Sequence, residues 1–163
     1  MKYFYRTLIF DFGSSSTVVC DESGRILFDE ATEIAYFVDG CIEIGQRSRI
    51  FCEGESKLIK PIVCGYVNNS DAFEDYVKRL VKKLVFFPRL CLKTVVIAIP
   101  NDLAGDENSS AGDRAFFEPF RKIGIKDIRV IHRSVAAHLG ASTKKVTTPK
   151  DPSIKPERTV HTE

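Results

Sequence analysis

The sequence has no apolar run approaching the roughly 18 residues of a membrane-crossing helix. Its opening, Met1 to Arg6, is too aromatic and too short for a secretory signal, so a cytoplasmic location is expected. There is also no C-x-x-C pair. Five cysteines (Cys20, Cys41, Cys52, Cys64 and Cys91) are an odd number, which argues against a disulfide framework and against a zinc site. They are expected to be reduced and mostly buried thiols. Excess charge of one sign is missing from the body as well. The whole chain has 24 basic and 22 acidic residues, and residues 1–141 carry 19 of each, leaving the surplus of two in the last 22 residues. A neutral body has no electrostatic footprint for general nucleic-acid binding.

What is present is enough for one domain. Of 163 residues, 44% are hydrophobic, which suffices for one ordinary core and not two. Residues 142–163 hold only three apolar side chains (Val146, Ile154, Val160) against three prolines (Pro149, Pro152, Pro156), so they are expected to form a disordered tail. The body opens with three strand-like pieces, Arg6 to Asp11, Thr17 to Asp21 and Arg25 to Asp29, with Ser23-Gly24 as the second turn. Glu33 to Val38 and Cys41 to Ile44 flank an Asp39-Gly40 turn, and the stretch to Asn69 has little pattern; 33–69 reads as a small inserted subdomain.

Helical periodicity starts at Ser70, the expected cap. Phe73, Tyr76, Val77, Leu80, Val81, Leu84 and Val85 fall at steps of three and four. Val95 to Ile99 is a continuous apolar run stopped by Pro100, as in a central strand. A polar linker, Asn101 to Gly112, precedes a second helix over about Asp113 to Ile123, which Pro119 should kink or shorten. Gly124 should end it. Ile128 to Ile131 and Ser134 to Ala141 complete the order βββαβαβα, which predicts a mixed α/β sheet of the ribonuclease H-like kind with helices on its faces.

Asp11-Phe12-Gly13-Ser14-Ser15-Ser16-Thr17 places a carboxylate at the end of an apolar strand and a small-residue turn directly after it. Gly13 allows close backbone approach, successive N–H groups and hydroxyls can surround phosphate oxygens, and Asp11 can hold a hydrated Mg²⁺. The same residues also fit a hairpin turn whose serines satisfy their own backbone. Composition alone leaves both open.

This segment resembles the first phosphate motif, D-x-G-[ST]-x-[STN]-[ST], of the actin-like ATPases, and within that superfamily the chain looks most like the MreB family of bacterial cell-shape proteins. Ile59-Lys60-Pro61-Ile62 with Gly65-Tyr66-Val67 is similar to the family's I-R-P-x-x-D-G-V-I. Pro88-Arg89 with Val95 to Pro100 is similar to P-R-V-V-I-x-V-P, with extra residues between. Arg114-Ala115 to Gly124 stands in the place of R-R-A-x-x-x-A-G-x-x-A-G. Val130-Ile131 through Val135 to Gly140 stands in that of L-I-E-E-P-M-A-A-A-I-G. The resemblance implies that 1–141 is the first domain of an actin-like ATPase fold. It also implies a cytoskeletal role, self-association or binding to another cell-shape protein, and phosphate contact through Asp11, Gly13, Ser14, Ser15, Ser16 and Thr17, with weakly held Mg-ATP.

Two departures qualify this. The family's second phosphate hairpin, D-x-G-G-x-T, and its adenosine-side glycine pair are not in the sequence, which leaves a one-sided cleft of poor affinity. Where the family has E-E-P, this chain has His132-Arg133-Ser134. Arg133 has no water-accepting or general-base capacity, so no catalytic residue is assigned and independent ATP hydrolysis is not expected. His132 and His138 lie six apart, on different helix faces, and make no metal pair.

Three further expectations concern other surfaces and other chemistry. Phe86 and Phe87 follow the long helix where MreB-like proteins can carry a membrane-touching loop, and with Lys82, Lys83, Arg89 and Lys93 they make an apolar and basic patch for a membrane or a partner. The plainer reading is that both rings cap the core or cover the face meant for a second half. A ribonuclease H-like nuclease is the alternative enzyme, with Asp11, Glu74 and Asp102 as metal carboxylates, although the last helix supplies no acid. The third expectation is that the chain is a fragment of a longer ATPase.

Overall fold

The computed structural model describes residues 6–50, 56–99 and 109–143. Cys52, Asp102 and residues 144–163 of the expected tail lie outside them; Ser142 and Thr143, expected to begin that tail, instead continue the last helix.

Three strands form the opening meander: β1 (Thr7–Phe12), β2 (Ser16–Asp21) and β3 (Ile26–Ala31). Gly24 turns the second hairpin at φ +82°, a backbone region that a residue without Cβ enters freely. A second, three-stranded sheet follows, built from β4 (Ile34–Phe37), β5 (Ile42–Ile44) and β6 (Ser56–Ile59), with a short helix α1 (Gln46–Ile50) after β5. Two very short strands, β7 (Ile62–Val63) and β8 (Tyr66–Val67), close a hairpin through Cys64 and Gly65, both at positive φ. These small elements were not legible as such in 45–69, because two- to four-residue strands carry too few alternations to show a period.

Helix α2 (Ser70–Leu84) buries Phe73, Tyr76, Val77, Leu80, Val81 and Leu84, as its periodicity predicts. Its cap is Asn69 rather than Ser70: the Asn69 Oδ1 accepts the Ala72 N–H at 2.9 Å. One turn, α3 (Pro88–Cys91), leads to β9 (Thr94–Ile99). Helix α4 (Ser109–Ile123), β10 (Asp127–His132) and α5 (Arg133–Thr143) follow. Pro119 does not shorten α4. It is itself buried, and Phe116 and Phe120 beside it enter the core, which offsets the missing N–H bond.

The main sheet has the order β10-β9-β1-β2-β3. The neighbours β10, β9 and β1 are parallel, and the meander is antiparallel. This is the mixed order that the βββαβαβα reading requires. Strand alternation then sorts β1 by face. Leu8, Phe10 and Phe12 point into a core with Phe73 and Leu80 of α2, Phe116 and Phe120 of α4, and Val95, Ile97 and Ile99 of β9. Thr7, Ile9 and Asp11 point to the opposite face, where α5 begins.

The described cysteines correct one expectation. None is fully buried: Cys20 and Cys91 are half-buried, Cys41 and Cys64 are exposed, and all four are free thiols. Cys41 sits in the Asp39-Gly40 turn, where a hydrogen bond to the Asp39 carboxylate raises the pKa of its thiol.

Candidate functional site

Because β1, β9 and β10 are parallel, their carboxyl ends meet at one edge of the sheet, the usual place for a ligand in such folds. Asp11 pairs with Ala98, and Ile99 with His132, so Asp11, the serine turn and the start of α5 share that edge.

The turn is fixed from inside and outside. The Gly13 N–H donates to the Ser16 carbonyl at 2.9 Å and closes the turn. A Cβ on Gly13 would stand 2.7 Å from that oxygen, so the close approach that requires glycine here is to the chain itself. Thr32, between β3 and β4, donates its hydroxyl to the Gly13 carbonyl at 2.7 Å and its N–H to the Ser15 carbonyl at 3.1 Å. The Gly65 N–H donates to the Ser14 hydroxyl at 2.9 Å, so the β7–β8 hairpin braces the turn. Next to Thr32, the buried Glu33 accepts two bonds from Arg49, at 2.5 and 2.7 Å, which hold its carboxyl below the ordinary carboxylate range.

Of the six residues expected to meet phosphate, Ser14, Ser15 and Ser16 offer groups at the surface, Gly13 has both its N–H and its carbonyl engaged within the turn, and Thr17 and Asp11 are held by other partners. Ser15 and Ser16 are exposed, and among the described residues the N–H groups of Ser14 and Ser15 have no acceptor. Two successive free amides make the core of an anion nest. Thr17 is a correction. Its side chain is fully buried, with its hydroxyl 2.8 Å from that of Thr32, so it supports the turn from below. The signal was available, since Thr17, Val19 and Asp21 alternate onto the buried face of β2.

Asp11 is the second. Arg133, the first residue of α5, donates from Nε to the Asp11 Oδ1 at 2.9 Å and places Nη2 at 2.6 Å from the same oxygen. Nη2 also donates to the Phe12 carbonyl at 2.9 Å. The fold family implies Mg²⁺ at this carboxylate, and the residues present do not fit one. A divalent ion about 4 Å from the guanidinium is repelled by about 2 kcal/mol even at the dielectric constant of water, before salt screening. Among the described residues no three His, Cys, Asp or Glu side chains gather around a metal position. The partnership between Arg133 and Asp11 spans 122 positions, and no sequence spacing announces it.

The nuclease carboxylates are also engaged separately. Glu74 accepts from Lys122 at 2.5 Å and faces Lys78 at 2.7 Å, and these hydrogen bonds lower its pKa. Asp11 is held by Arg133, and Asp102 is outside the described residues.

A second feature lies at the carboxyl end of α2. Phe86 and Phe87 are 56% and 51% exposed, with ring centroids 4.5 Å apart, so they do not cap the core. With Pro88 and Ile123 they line an open groove of about 750 Å³ whose rim is Lys78, Lys82, Arg89 and Lys122. Arg89 is fixed there by donating to the Ile123 carbonyl at 3.0 Å. Lys83 is not part of it. One residue further along the helix turns the side chain by about 100°, and Lys83 pairs with Glu30 at 3.0 Å and covers the Phe28 ring at 4.9 Å. Lys78 and Lys122 were missed in the sequence, although Lys78 lies one turn before Lys82 on the same helical face.

No protein-family model and no curated protein matches the sequence. Solved structures do match. The chain is similar to MreB5 of Spiroplasma citri bound to ADP, with a TM-score of 0.67, 16% identity, and coverage of 85% of this chain and 41% of that one. The same protein bound to AMPPNP gives 0.67, 15%, 87% and 43%. A non-polymerising MamK mutant bound to AMPPNP gives 0.64, 15%, 86% and 45%. The chain thus spans less than half the length of each of these three structures, and over that length it has the fold of an actin-like ATPase domain.

Proposed function

We propose that the chain acts as the first half of an actin-type clamp: a phosphate-contacting, cell-shape or cytoskeletal module of the MreB kind that works by assembly with a second copy or another cell-shape protein. Residues 1–141 form the working unit, with 33–69 as its inserted piece. The observation that carries this reading is the pair of free amides at Ser14 and Ser15, beside Asp11 at the carboxyl edge of an actin-type sheet. The ADP and AMPPNP held by the similar structures support a nucleotide as the ligand class. The MamK relative's description as a non-polymerising mutant supports assembly as the kind of activity. Binding is weak because only one jaw touches the ligand. No ATP turnover accompanies it, since Arg133 cannot accept a proton from water.

The test is a titration of the whole chain with ATP while the amide signals of Ser14, Ser15 and Ser16 are followed. Saturable shifts in the millimolar range are expected, with no phosphate release above the buffer rate. Unmoved signals overturn the reading.

The groove beside Phe86 supports a second property of the same module, contact with an anionic membrane surface from the cytoplasmic side. Two adjacent half-exposed rings give an apolar wedge, and each nearby base adds about 1 kcal/mol of attraction to an anionic leaflet. Sedimentation with anionic liposomes is expected to fall roughly tenfold or more in a Phe86→Ser, Phe87→Ser double variant. Equal sedimentation of the two proteins removes this property.

A further inference from the structure

We infer that Arg133 takes the electrostatic place of a divalent cation at the serine turn, so that the turn receives phosphate-bearing ligands through a guanidinium and main-chain amides, independently of Mg²⁺. This rests on reading the turn as a phosphate site.

A bare Asp11 carboxylate beside a phosphate group is two negative charges together, and in the usual arrangement a metal ion resolves them. Here Nε and Nη2 of Arg133 meet the Asp11 Oδ1, so the pair is neutral before any ligand arrives. The guanidinium keeps capacity to spare. It has five N–H donors, and among the described residues its contacts are to the Asp11 Oδ1 and the Phe12 carbonyl. Nη1 is uncommitted. Both side chains remain open to solvent, with 40% of Arg133 and 46% of Asp11 exposed, so the pair stands at the mouth of the site rather than sealed beneath it.

The location of this arginine runs against local helix energetics. As the first residue of α5 it stands at the positive end of the helix dipole, and the first turn has no acidic residue to offset it. What compensates is across the sheet, at Asp11. A cation, a helix N-terminus and the two free amides of Ser14 and Ser15 therefore converge on one edge, and what they share is attraction for an anion. The same convergence repels a metal ion. Of the possible ligands, the free polyphosphate is favoured over its Mg²⁺ complex, because complexation removes the charge that Arg133 recognises.

The test uses the full chain, wild type and Arg133→Gln, titrated with inorganic pyrophosphate and with ATP, each with Mg²⁺ or with EDTA, following the amides of Gly13 to Ser16. Equal thermal melting of the two proteins establishes that both are folded, and Arg133→Lys reports how much a point charge restores. For the wild type, affinity with and without Mg²⁺ is expected to agree within about twofold or to favour EDTA. For Arg133→Gln, affinity in EDTA is expected to fall about tenfold and to be recovered by Mg²⁺. A second readout needs no ligand: Mn²⁺ is expected to leave the Asp11 to Ser15 amides sharp in the wild type and to broaden them in Arg133→Gln. Wild-type binding that requires Mg²⁺, or Mn²⁺ broadening in the wild type, overturns the inference while leaving the phosphate site standing. Absence of any shift with either ligand in both proteins overturns the phosphate site, and this inference with it.

Discussion

Replacing Phe12 with alanine is expected to lower the unfolding free energy by about 3–5 kcal/mol, measured as a leftward shift of the urea or guanidinium transition. Phe12 is fully buried at the point where three elements meet. Its ring centroid lies 5.1 Å from that of Phe73 in an edge-on arrangement, 6.3 Å from Phe116 and 6.2 Å from Phe120, so it joins β1 to both α2 and α4. Phe10 continues the cluster, 5.5 Å from Phe12 and 4.9 Å from Phe120. No neighbour is free to collapse into the space left by the ring, because each is held by its own helix or strand, and a cavity that cannot relax gives the upper part of the range. Domains of this size have a total stability of about 5–15 kcal/mol, so the variant loses a large share of it. Phe87→Ala is the control. Its ring is half-exposed, and the expected change is within about 0.5 kcal/mol. A Phe12→Ala transition that coincides with the wild type contradicts the placement of the aromatic core.

The same residue explains why so much of the fold was legible. Phe10 and Phe12 alternate with Ile9 and Asp11, so the pattern of β1 both announces a strand and assigns the carboxylate to the face opposite the core. The six periodic apolar positions of α2 and the apolar run of β9 are equally direct, because each element reports its environment through its own period. The site was legible only in its local part. Asp11, Gly13 and the serines stand together in the chain, whereas Thr32, Gly65 and Arg133 reach the turn from 19, 51 and 122 positions away, through single hydrogen bonds that have no period. At the groove beside Phe86, adjacent aromatics signal a patch, but which lysines join it depends on helix rotation and on α4, which brings Lys122. Lys82 and Lys83 are neighbours in sequence and look to different surfaces.

Gly13→Ala separates what the turn contributes to the fold from what it contributes to binding. The expected result is a loss of about 1–3 kcal/mol of stability, together with loss of the ATP-dependent shifts at Ser14 and Ser15. The cause is space rather than backbone conformation. Gly13 is not among the glycines at positive φ, so alanine meets no penalty there of the left-handed kind. Its methyl group instead falls 2.7 Å from the Ser16 carbonyl oxygen, which is main chain and cannot swing aside. That oxygen is the acceptor for the Gly13 N–H, so widening the turn also breaks the bond that closes it. The displacement is passed on to the Thr32 hydroxyl on the Gly13 carbonyl and to the Gly65 N–H on the Ser14 hydroxyl, and so to the segment that carries the two free amides. Gly24→Ala is the informative contrast. It lies at φ +82° with nothing within 4 Å of an added Cβ, so any loss comes from backbone strain alone and leaves the shifts at Ser14 and Ser15 intact. Retained shifts in a destabilised Gly13→Ala protein show that the ligand is gripped elsewhere, by Arg133 and the start of α5. Retained shifts and unchanged stability together exclude the tight turn itself.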